Sequence, residues 1–242
     1  MSREESPNMT QNSDLYLKQI SVGPMQNFAY LIGSRAARRC FAVDPAWETQ
    51  KIIDTAKDDG MQIEGLIVTH YHPDHCGGHY WGHHIPGVAE LHGALGVKVY
   101  AHADEVEGVM KVTGLAKNDF HICRGGDSLE LGAEGEGIRI KLIHTPGHTP
   151  GSQCLLCESK LLSGDTLFIS GCGRVDLPGG DGAKLYESLR TISALPDDTL
   201  VMPGHHYDPQ EAAPLQFLKR VNPYLKEASV EGFRSLREKP RD

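Results

Sequence analysis

The sequence predicts a layered α/β sandwich, because two strand-rich halves have helical segments between them. Short apolar, β-branched or aromatic runs recur along the 242-residue chain, separated by turns that contain Gly or Pro. Neither an internal repeat nor a long linker interrupts this pattern. We therefore expect a single domain over residues 14–242, preceded by a polar, disordered leader over residues 1–13.

The predicted strands are short runs bounded by turn residues. In chain order they are Leu15–Ile20, Phe28–Ile32, Cys40–Val43, Gly65–Thr69, Val97–Ala101, Ile138–His144, Gln153–Cys157, Lys160–Ser163 and Leu200–Met202. A helix over Glu48–Asp59 ends before Gly60, which suits a helix C-terminus. A second helix, Ala183–Leu195, has an apolar stripe and Asp181 as its N-cap. A third helix is expected within Pro209–Arg220.

Composition excludes several classes of protein. The formal net charge of −8 argues against a nucleic-acid-binding protein, which needs a basic stripe. No apolar run reaches the length of a membrane span, and the first residues lack the basic and apolar stretches of a secretory signal. The six cysteines form no dense framework, which favours a reducing, cytoplasmic setting. Cys154 and Cys157 form a C-x-x-C pair, but no second pair follows, so ordinary strand cysteines are predicted rather than a redox or zinc site.

The densest chemical signal directly follows the apolar run Gly65–Thr69. It is the stretch His70-Tyr71-His72-Pro73-Asp74-His75, with four imidazole or carboxylate groups in six residues. Pro73 is expected to break regular structure, and Gly77-Gly78 to allow a tight turn into a helix. An irregular loop can point such neighbours at two adjacent centres, whereas a helix would scatter them. Because these side chains bind transition metals, the stretch predicts a metal site.

Three later motifs repeat one arrangement, in which a strand is followed by Gly and then by His or Asp. They end in Gly147-His148, Gly164-Asp165 and Gly204-His205. Each motif alone is compatible with an ordinary turn. Loops at strand ends are, however, where catalytic groups usually lie. Together with the first motif they form one set of seven metal donors.

This set of motifs resembles the metallo-β-lactamase superfamily and, within it, the glyoxalase II-like (hydroxyacylglutathione hydrolase-like) branch. The shared motifs extend from about His70 to Tyr207. The lead-in segments Gly23–Tyr30 and Val43-Asp44-Pro45 are also similar, though less specific. The resemblance implies a four-layer αβ/βα sandwich with the metals at one edge of the two sheets.

The resemblance also implies a role for each donor. The first metal would be held by His70, His72 and His148, the second by Asp74, His75 and His205, with Asp165 bridging both. Two divalent ions are expected, with zinc first and iron or manganese as alternatives, since imidazole binds all of them. His206 is expected outside the donor set. The other histidines are predicted to be structural or exposed, namely His79, His83, His84, His92, His102, His121 and His144.

These assignments predict a hydrolase. Two divalent ions lower the pKa of a shared water, and the resulting metal-bridging hydroxide attacks a carbonyl. Asp74 is expected to orient the hydroxide and to accept or relay its proton. A thioester suits the site, because a thiolate leaving group with a pKa of about 8.5 needs little acid assistance. We therefore expect a small-molecule acyl thioester as substrate, and whether the protein is a homo-oligomer is left open.

Two residues are candidates for binding substrate. Gly171-Cys172-Gly173-Arg174 resembles the glyoxalase II stretch that carries a basic residue toward glutathione. Arg174 could anchor an anionic thiol carrier, although a structural ion pair with Asp176 or Asp181 fits almost equally well. Tyr207 could donate a hydrogen bond to substrate or simply pack. The chain after Tyr207 contains one clear helix and is shorter than the family's substrate-binding region, so the carrier is left open.

Three alternative functions are kept. A persulfide dioxygenase would use one iron held by two histidines and one carboxylate. The stretch from Gly171 to Asp176 fits that group about as well, but the complete second donor set favours the hydrolase. A β-lactam hydrolase is disfavoured by the lack of an export signal and by Asp165 at the bridging position. A non-enzymatic binding module is disfavoured because all seven donors are present.

Overall fold

The computed structural model describes residues 13–80, 82–132 and 137–238. The predicted leader therefore lies outside the described residues, except for Ser13. The first of two large sheets contains, in spatial order, β1 (Leu15–Val22), β2 (Asn27–Ser34), β3 (Arg39–Val43), β4 (Gln62–Ile67), β7 (Lys98–His102) and β8 (Phe120–Cys123). The second contains β14 (Ala213–Pro214), β13 (Leu200–Pro203), β12 (Lys160–Gly164), β11 (Gln153–Cys157), β10 (Ile138–His144) and β9 (Ser128–Leu131). A small hairpin pairs β5 (Gly78–Tyr80) with β6 (His83–Ile85).

Helices cover the outer face of each sheet. The helices are α1 (Thr49–Asp58), α2 (Pro73–Cys76), α3 (Val88–Leu95), α4 (Val106–Thr113), α5 (Gly182–Ser193), α6 (Leu215–Val221), α7 (Pro223–Lys226) and α8 (Val230–Glu238). Apolar residues of α1, α3 and α4 share a core with the first sheet. Apolar residues of α5 to α8 share a core with the second sheet. None of the helices in the described ranges has the length and apolarity needed to cross a bilayer.

A third core, between the two sheets, explains why the strands are apolar on both faces. In β2, Phe28, Tyr30 and Ile32 point toward the second sheet, whereas Ala29 and Leu31 point toward the helices. This is the period of two that strand geometry imposes. The layers are therefore helix, sheet, sheet and helix, which confirms the predicted αβ/βα sandwich.

Every predicted strand overlaps an observed strand, and each of the three predicted helices overlaps an observed helix. Asp181 caps α5, because its Oδ1 accepts hydrogen bonds from the backbone N–H groups of Ala183 and Lys184. Cys154 and Cys157 lie in β11 and point into different cores, and all six cysteines are buried and form no disulfide bond. The prediction of ordinary strand cysteines is thus confirmed.

Three local predictions are wrong. Pro73 does not break regular structure but begins α2, because the first position of a helix needs no N–H donor. Gly78 leads into strand β5 rather than into a helix. The chain after Tyr207 forms three helices, α6 to α8, rather than the one that was predicted. The first of these, α6, is the helix predicted within Pro209–Arg220, and it starts at Leu215 because Ala213–Pro214 pairs with β13.

Candidate metal centre

Strand direction brings the predicted donors to one edge of the sandwich. Strands β3, β4, β7 and β8 run parallel, as do β12 and β13. The stretch from His70 follows β4, and Asp74 and His75 lie on the single turn of α2. The loops that follow β10, β12 and β13 supply His148, Asp165 and His205. All seven predicted donors therefore meet at one cleft.

The donors form two groups joined by one carboxylate. In the first group, His72 Nδ1 lies 3.0 Å from His148 Nε2, and a nitrogen of His70 is close to both. In the second, His75 Nε2 lies 3.1 Å from His205 Nε2, which is 3.4 Å from Asp74 Oδ2. The Asp165 carboxylate lies 3.3 Å from His75 Nε2, 3.4 Å from His205 Nε2 and 3.7 Å from His148 Nε2. Asp165 thus contacts both groups, as a bridging ligand must.

Four of the five histidines have one ring nitrogen fixed by an acceptor outside the cleft. The Nδ1–H groups of His148 and His205 donate to the backbone oxygens of Arg174 and Met25, at 2.7 and 2.9 Å. His75 Nδ1 donates to Asp44 Oδ2 at 3.1 Å. His70 Nδ1 lies 3.0 Å from Thr69 Oγ1, whose own proton goes to Asp44. In each ring Nε2 is left to face the cleft, which is the arrangement that metal-binding histidines show.

The spacing and one unpartnered atom fit a metal centre. Two ligands at 2.0–2.1 Å from one tetrahedral ion lie about 3.3 Å apart, close to the separations between the donors here. Unprotonated nitrogens this close would repel one another without a cation between them. His70 Nε2 is also buried without a hydrogen-bond partner. Such an atom is costly to bury unless it binds something.

Electrostatics divides the histidines into two types. Burial holds the pKa of His70 well below its usual range and lowers that of His72 to about 4. Burial alone would also lower the pKa of His75 and His205, but the carboxylates of Asp165 and Asp74 raise both, that of His205 to about 9. Protons on these two rings then occupy the positions that a metal ion would take.

Several residues that support the donors were given no role by the sequence. Asp44 accepts hydrogen bonds from the backbone N–H and the hydroxyl of Thr69, at 2.7 and 2.6 Å, besides the one from His75. Asn27 Nδ2 donates to Asp74 Oδ2 at 3.0 Å. Both lie in the lead-in segments whose similarity to the family is less specific, so the sequence contained these residues in a recognised segment but did not reveal what they contact. These contacts form only when β2 and β3 pack beside β4.

Gly204 shows how tightly the donors pack. A Cβ atom at this position would lie 2.5 Å from Asp165 Oδ1 and 2.9 Å from His75 Cε1. Any side chain at Gly204 would therefore displace a donor of the second group. The glycine that precedes His205 is thus required by close approach and not only by the turn.

Another cluster of potential metal donors, formed by His102, Asp104 and His144, does not resemble the centre described above. The two rings are stacked, with centroids 3.9 Å apart and planes inclined by 15°. Their lone pairs lie in nearly parallel planes and do not converge on one point. His144 Nε2 donates to the backbone oxygen of Pro150 at 3.0 Å, and Asp104 is largely exposed. This geometry agrees with the structural role predicted for both histidines.

Five of the donors line a cavity of about 980 Å³, namely His72, Asp74, His148, Asp165 and His205. Arg174 and Tyr207 both line this cavity, as predicted for substrate-binding residues. Arg174 also forms the predicted ion pair with Asp176, through Nε–Oδ1 and Nη2–Oδ2 contacts of 2.9 and 2.7 Å. The Tyr207 ring stacks on His205 with centroids 4.5 Å apart. His206, outside the donor set, packs on Phe28.

The fold and the paired donor groups define a metal-binding αβ/βα sandwich with its site at one sheet edge. The sequence matches the family described as the metallo-β-lactamase superfamily over residues 22–205. The chain belongs to that superfamily.

The chain is similar to several proteins that are named as hydrolases. The chain is 30% identical to a probable polyketide biosynthesis zinc-dependent hydrolase, BaeB, of Bacillus velezensis, over 87% of each chain. It is 35% identical to a hydroxyacylglutathione hydrolase of Citrobacter koseri, over 75% of this chain and 62% of that protein. Among solved structures, ETHE1 from Myxococcus xanthus superposes with a TM-score of 0.77 at 26% identity, over 93% of this chain and 92% of that one. The chain thus spans less than two thirds of the Citrobacter hydrolase.

Proposed function

We propose that this protein hydrolyses a small acyl thioester at a dinuclear metal centre. The observation that carries the proposal is the convergence of seven donors, in two groups that share Asp165, at a large cleft. Hydroxyacylglutathione hydrolases among the relatives support a thioester substrate. A relative named as zinc-dependent supports zinc.

Two divalent ions bound here would supply Lewis acidity and a water of lowered pKa. The protein's own residues would then handle the proton and the substrate. Burial would raise the pKa of Asp74, but His75 and the hydrogen bond from His205 lower it overall, so the carboxylate is ionised and Oδ2 could orient the attacking water by accepting its hydrogen bond and relay the proton onward. Asn27 orients this oxygen through its Nδ2–H donor. A thiolate leaves without a dedicated acid, because its pKa of about 8.5 is low enough.

The cleft favours a carrier with both apolar and charged parts. Phe168, Leu177 and Tyr224 contribute apolar wall, and Tyr224 comes from the C-terminal helices that the sequence did not predict. Arg174 and Asp176 place opposite charges at the rim, because both side chains are more than half exposed. An anionic carrier would bind Arg174 in competition with Asp176. We therefore propose a thiol carrier with a carboxylate, such as glutathione.

A substrate panel tests the proposal. The full chain, loaded with zinc, is assayed with S-lactoylglutathione, a second acyl-glutathione, an acyl-CoA and nitrocefin. We expect the highest kcat/KM with an acyl-glutathione. In Asp165→Ala this kcat/KM should fall by at least about 100-fold, because the loss of a bridging ligand should have a larger effect than the loss of a residue that only hydrogen-bonds to a ligand. Asp198→Ala, at an exposed aspartate in the turn before β13, is the matched control. Unchanged hydrolysis in a folded Asp165→Ala variant would refute the assignment.

The persulfide dioxygenase alternative is favoured by the segment from Gly171 to Asp176, and a separate preparation tests it. Protein purified without added metal is supplied with glutathione persulfide in an oxygen electrode. If the protein is a thioester hydrolase, the electrode should record no oxygen uptake. Oxygen uptake with a single bound iron, and no thioester turnover, would establish the alternative instead.

A further inference from the structure

The buried carboxylate of Glu105 contacts both loops that carry the first donor group, His70, His72 and His148. Glu105 immediately precedes α4, and its side chain is fully buried. Its Oε2 accepts a hydrogen bond of 2.7 Å from the backbone N–H of Tyr71, which lies between His70 and His72. The Glu105 side chain therefore binds one of the two loops directly at the backbone of that loop.

The other carboxylate oxygen holds the second loop. Glu105 Oε1 accepts hydrogen bonds from Thr149 Oγ1, at 2.5 Å, and from the backbone N–H of Gly151, at 2.6 Å. Thr149 directly follows His148. A Cβ atom on Gly151 would lie 2.7 Å from Glu105 Cγ, so the glycine is what allows this approach. One side chain thus spans the distance between the His70–His72 segment and the His148 loop.

We infer that Glu105 is a positioning residue that sets the separation of these two loops and so preorganises the first metal group. The inference rests on the dinuclear centre proposed above. Gln153 joins the same two segments nearer the strands, through contacts of its N–H and Nε2 with the Thr69 and Val68 backbone oxygens. Glu105 acts farther out, beside the ligands themselves.

The surroundings of Glu105 suit a carboxylate and no other group. All three neighbours present donors to it, so both oxygens must accept. Burial nevertheless raises the pKa of Glu105 to about 7, although the hydrogen bonds from Thr149, Gly151 and Tyr71 oppose the shift. Placing a carboxyl group here is therefore costly to stability. A residue that costs stability yet connects both ligand loops is best explained by what it does for the site.

An isosteric variant separates this role from packing. In Glu105→Gln the side chain keeps its size, but the amide NH2 must face at least one donor at hydrogen-bond distance. One loop is then released while the core stays filled. Thr149→Val removes a single hydroxyl donor and should have a smaller effect in the same direction. Glu107→Gln makes the same chemical change at an exposed position of α4 and is the matched control.

Cobalt binding by the full-length chain is the test. Each protein is stripped with a chelator and titrated with CoCl2, with heat and visible absorption both recorded. We expect the wild type and Glu107→Gln to bind two ions. Glu105→Gln should weaken one of them by about 10- to 100-fold, the usual effect of losing an outer partner, and leave the other within about threefold. The weakened ion should be the one whose binding His148→Ala abolishes.

Two results would overturn the inference. One is binding of both ions by Glu105→Gln with wild-type constants, and the other is an equal weakening of both. Were Glu105→Gln to lose its fold, judged by its melting curve, Thr149→Val would carry the same prediction and the same contradiction. A wild-type protein that binds fewer than two ions would instead overturn the dinuclear centre itself, whatever Glu105 does.

Discussion

Asp44→Asn is expected to weaken both metal groups at once. Asp44 accepts three hydrogen bonds, from the Thr69 backbone N–H and hydroxyl and from His75 Nδ1. The Thr69 hydroxyl oxygen in turn accepts from His70 Nδ1. A single network therefore orients His70, a donor of the first group, and His75, a donor of the second. An amide has only one acceptor oxygen, so at least one of the three donors would face an NH2 group.

The size of the effect follows from that lost contact. A hydrogen bond to a charged acceptor contributes about 1.5–3 kcal/mol, which corresponds to about 10- to 150-fold in affinity. Calorimetric titration of chelator-treated protein with zinc should show both constants weakened within this range. Asp58→Asn, at the exposed end of α1, is the control and should bind as the wild type does. Wild-type zinc constants in a folded Asp44→Asn protein would refute the argument that Asp44 orients the ligands.

Three further predictions concern protons, substrate and stability. Against the effect of burial, the carboxylates of Asp165 and Asp74 raise the pKa of both His75 and His205, that of His205 to about 9. Zinc must therefore displace a proton from each ring, so its affinity should rise by more than about tenfold, and up to about 100-fold, per pH unit from 7 to 9 and less steeply above 9; a flat profile in calorimetric titrations would contradict this. Asp176→Asn removes the carboxylate that competes with an anionic carrier for Arg174, so the KM for an acyl-glutathione should fall by up to about fivefold, which is the most that an exposed ion pair contributes. A higher KM in this variant would show that Asp176 itself binds the carrier. Leu155→Ala leaves a cavity at a fully buried position between the sheets, so urea titrations should show a free energy of unfolding lower by about 2–5 kcal/mol. A loss below about 1 kcal/mol would mean that this core is not close-packed.

The sequence predicted what depends on local pattern. Strands such as Ile138–His144 and Gln153–Cys157 have the predicted bounds, because alternation and flanking turns specify them within a few residues. The four layers and the donor positions followed from resemblance, since seven spaced residues are a specific signal even where topology is not.

What the sequence could not predict depends on contacts between distant segments. Glu105 lies 34 residues from Tyr71 and 44 from Thr149, and no local pattern marks it as a partner of either. Strand β14 is two residues long and forms only because β13 offers a partner, so no local pattern indicated it within the window, Pro209–Arg220, where a helix was predicted. The one-turn helix α2 is too short for periodicity to reveal. Arg174 was predicted both to line the cleft and to pair with an aspartate, and only the structure shows that it does both.

The most direct test of the dinuclear centre is elemental analysis of the full chain purified without added metal, set beside its Asp165→Asn variant. We predict two divalent transition-metal ions per wild-type chain and fewer than one in the folded variant, because Asp165 lies between the two groups. Two ions retained by Asp165→Asn, or a folded wild type that binds none even when zinc is supplied, would contradict the account.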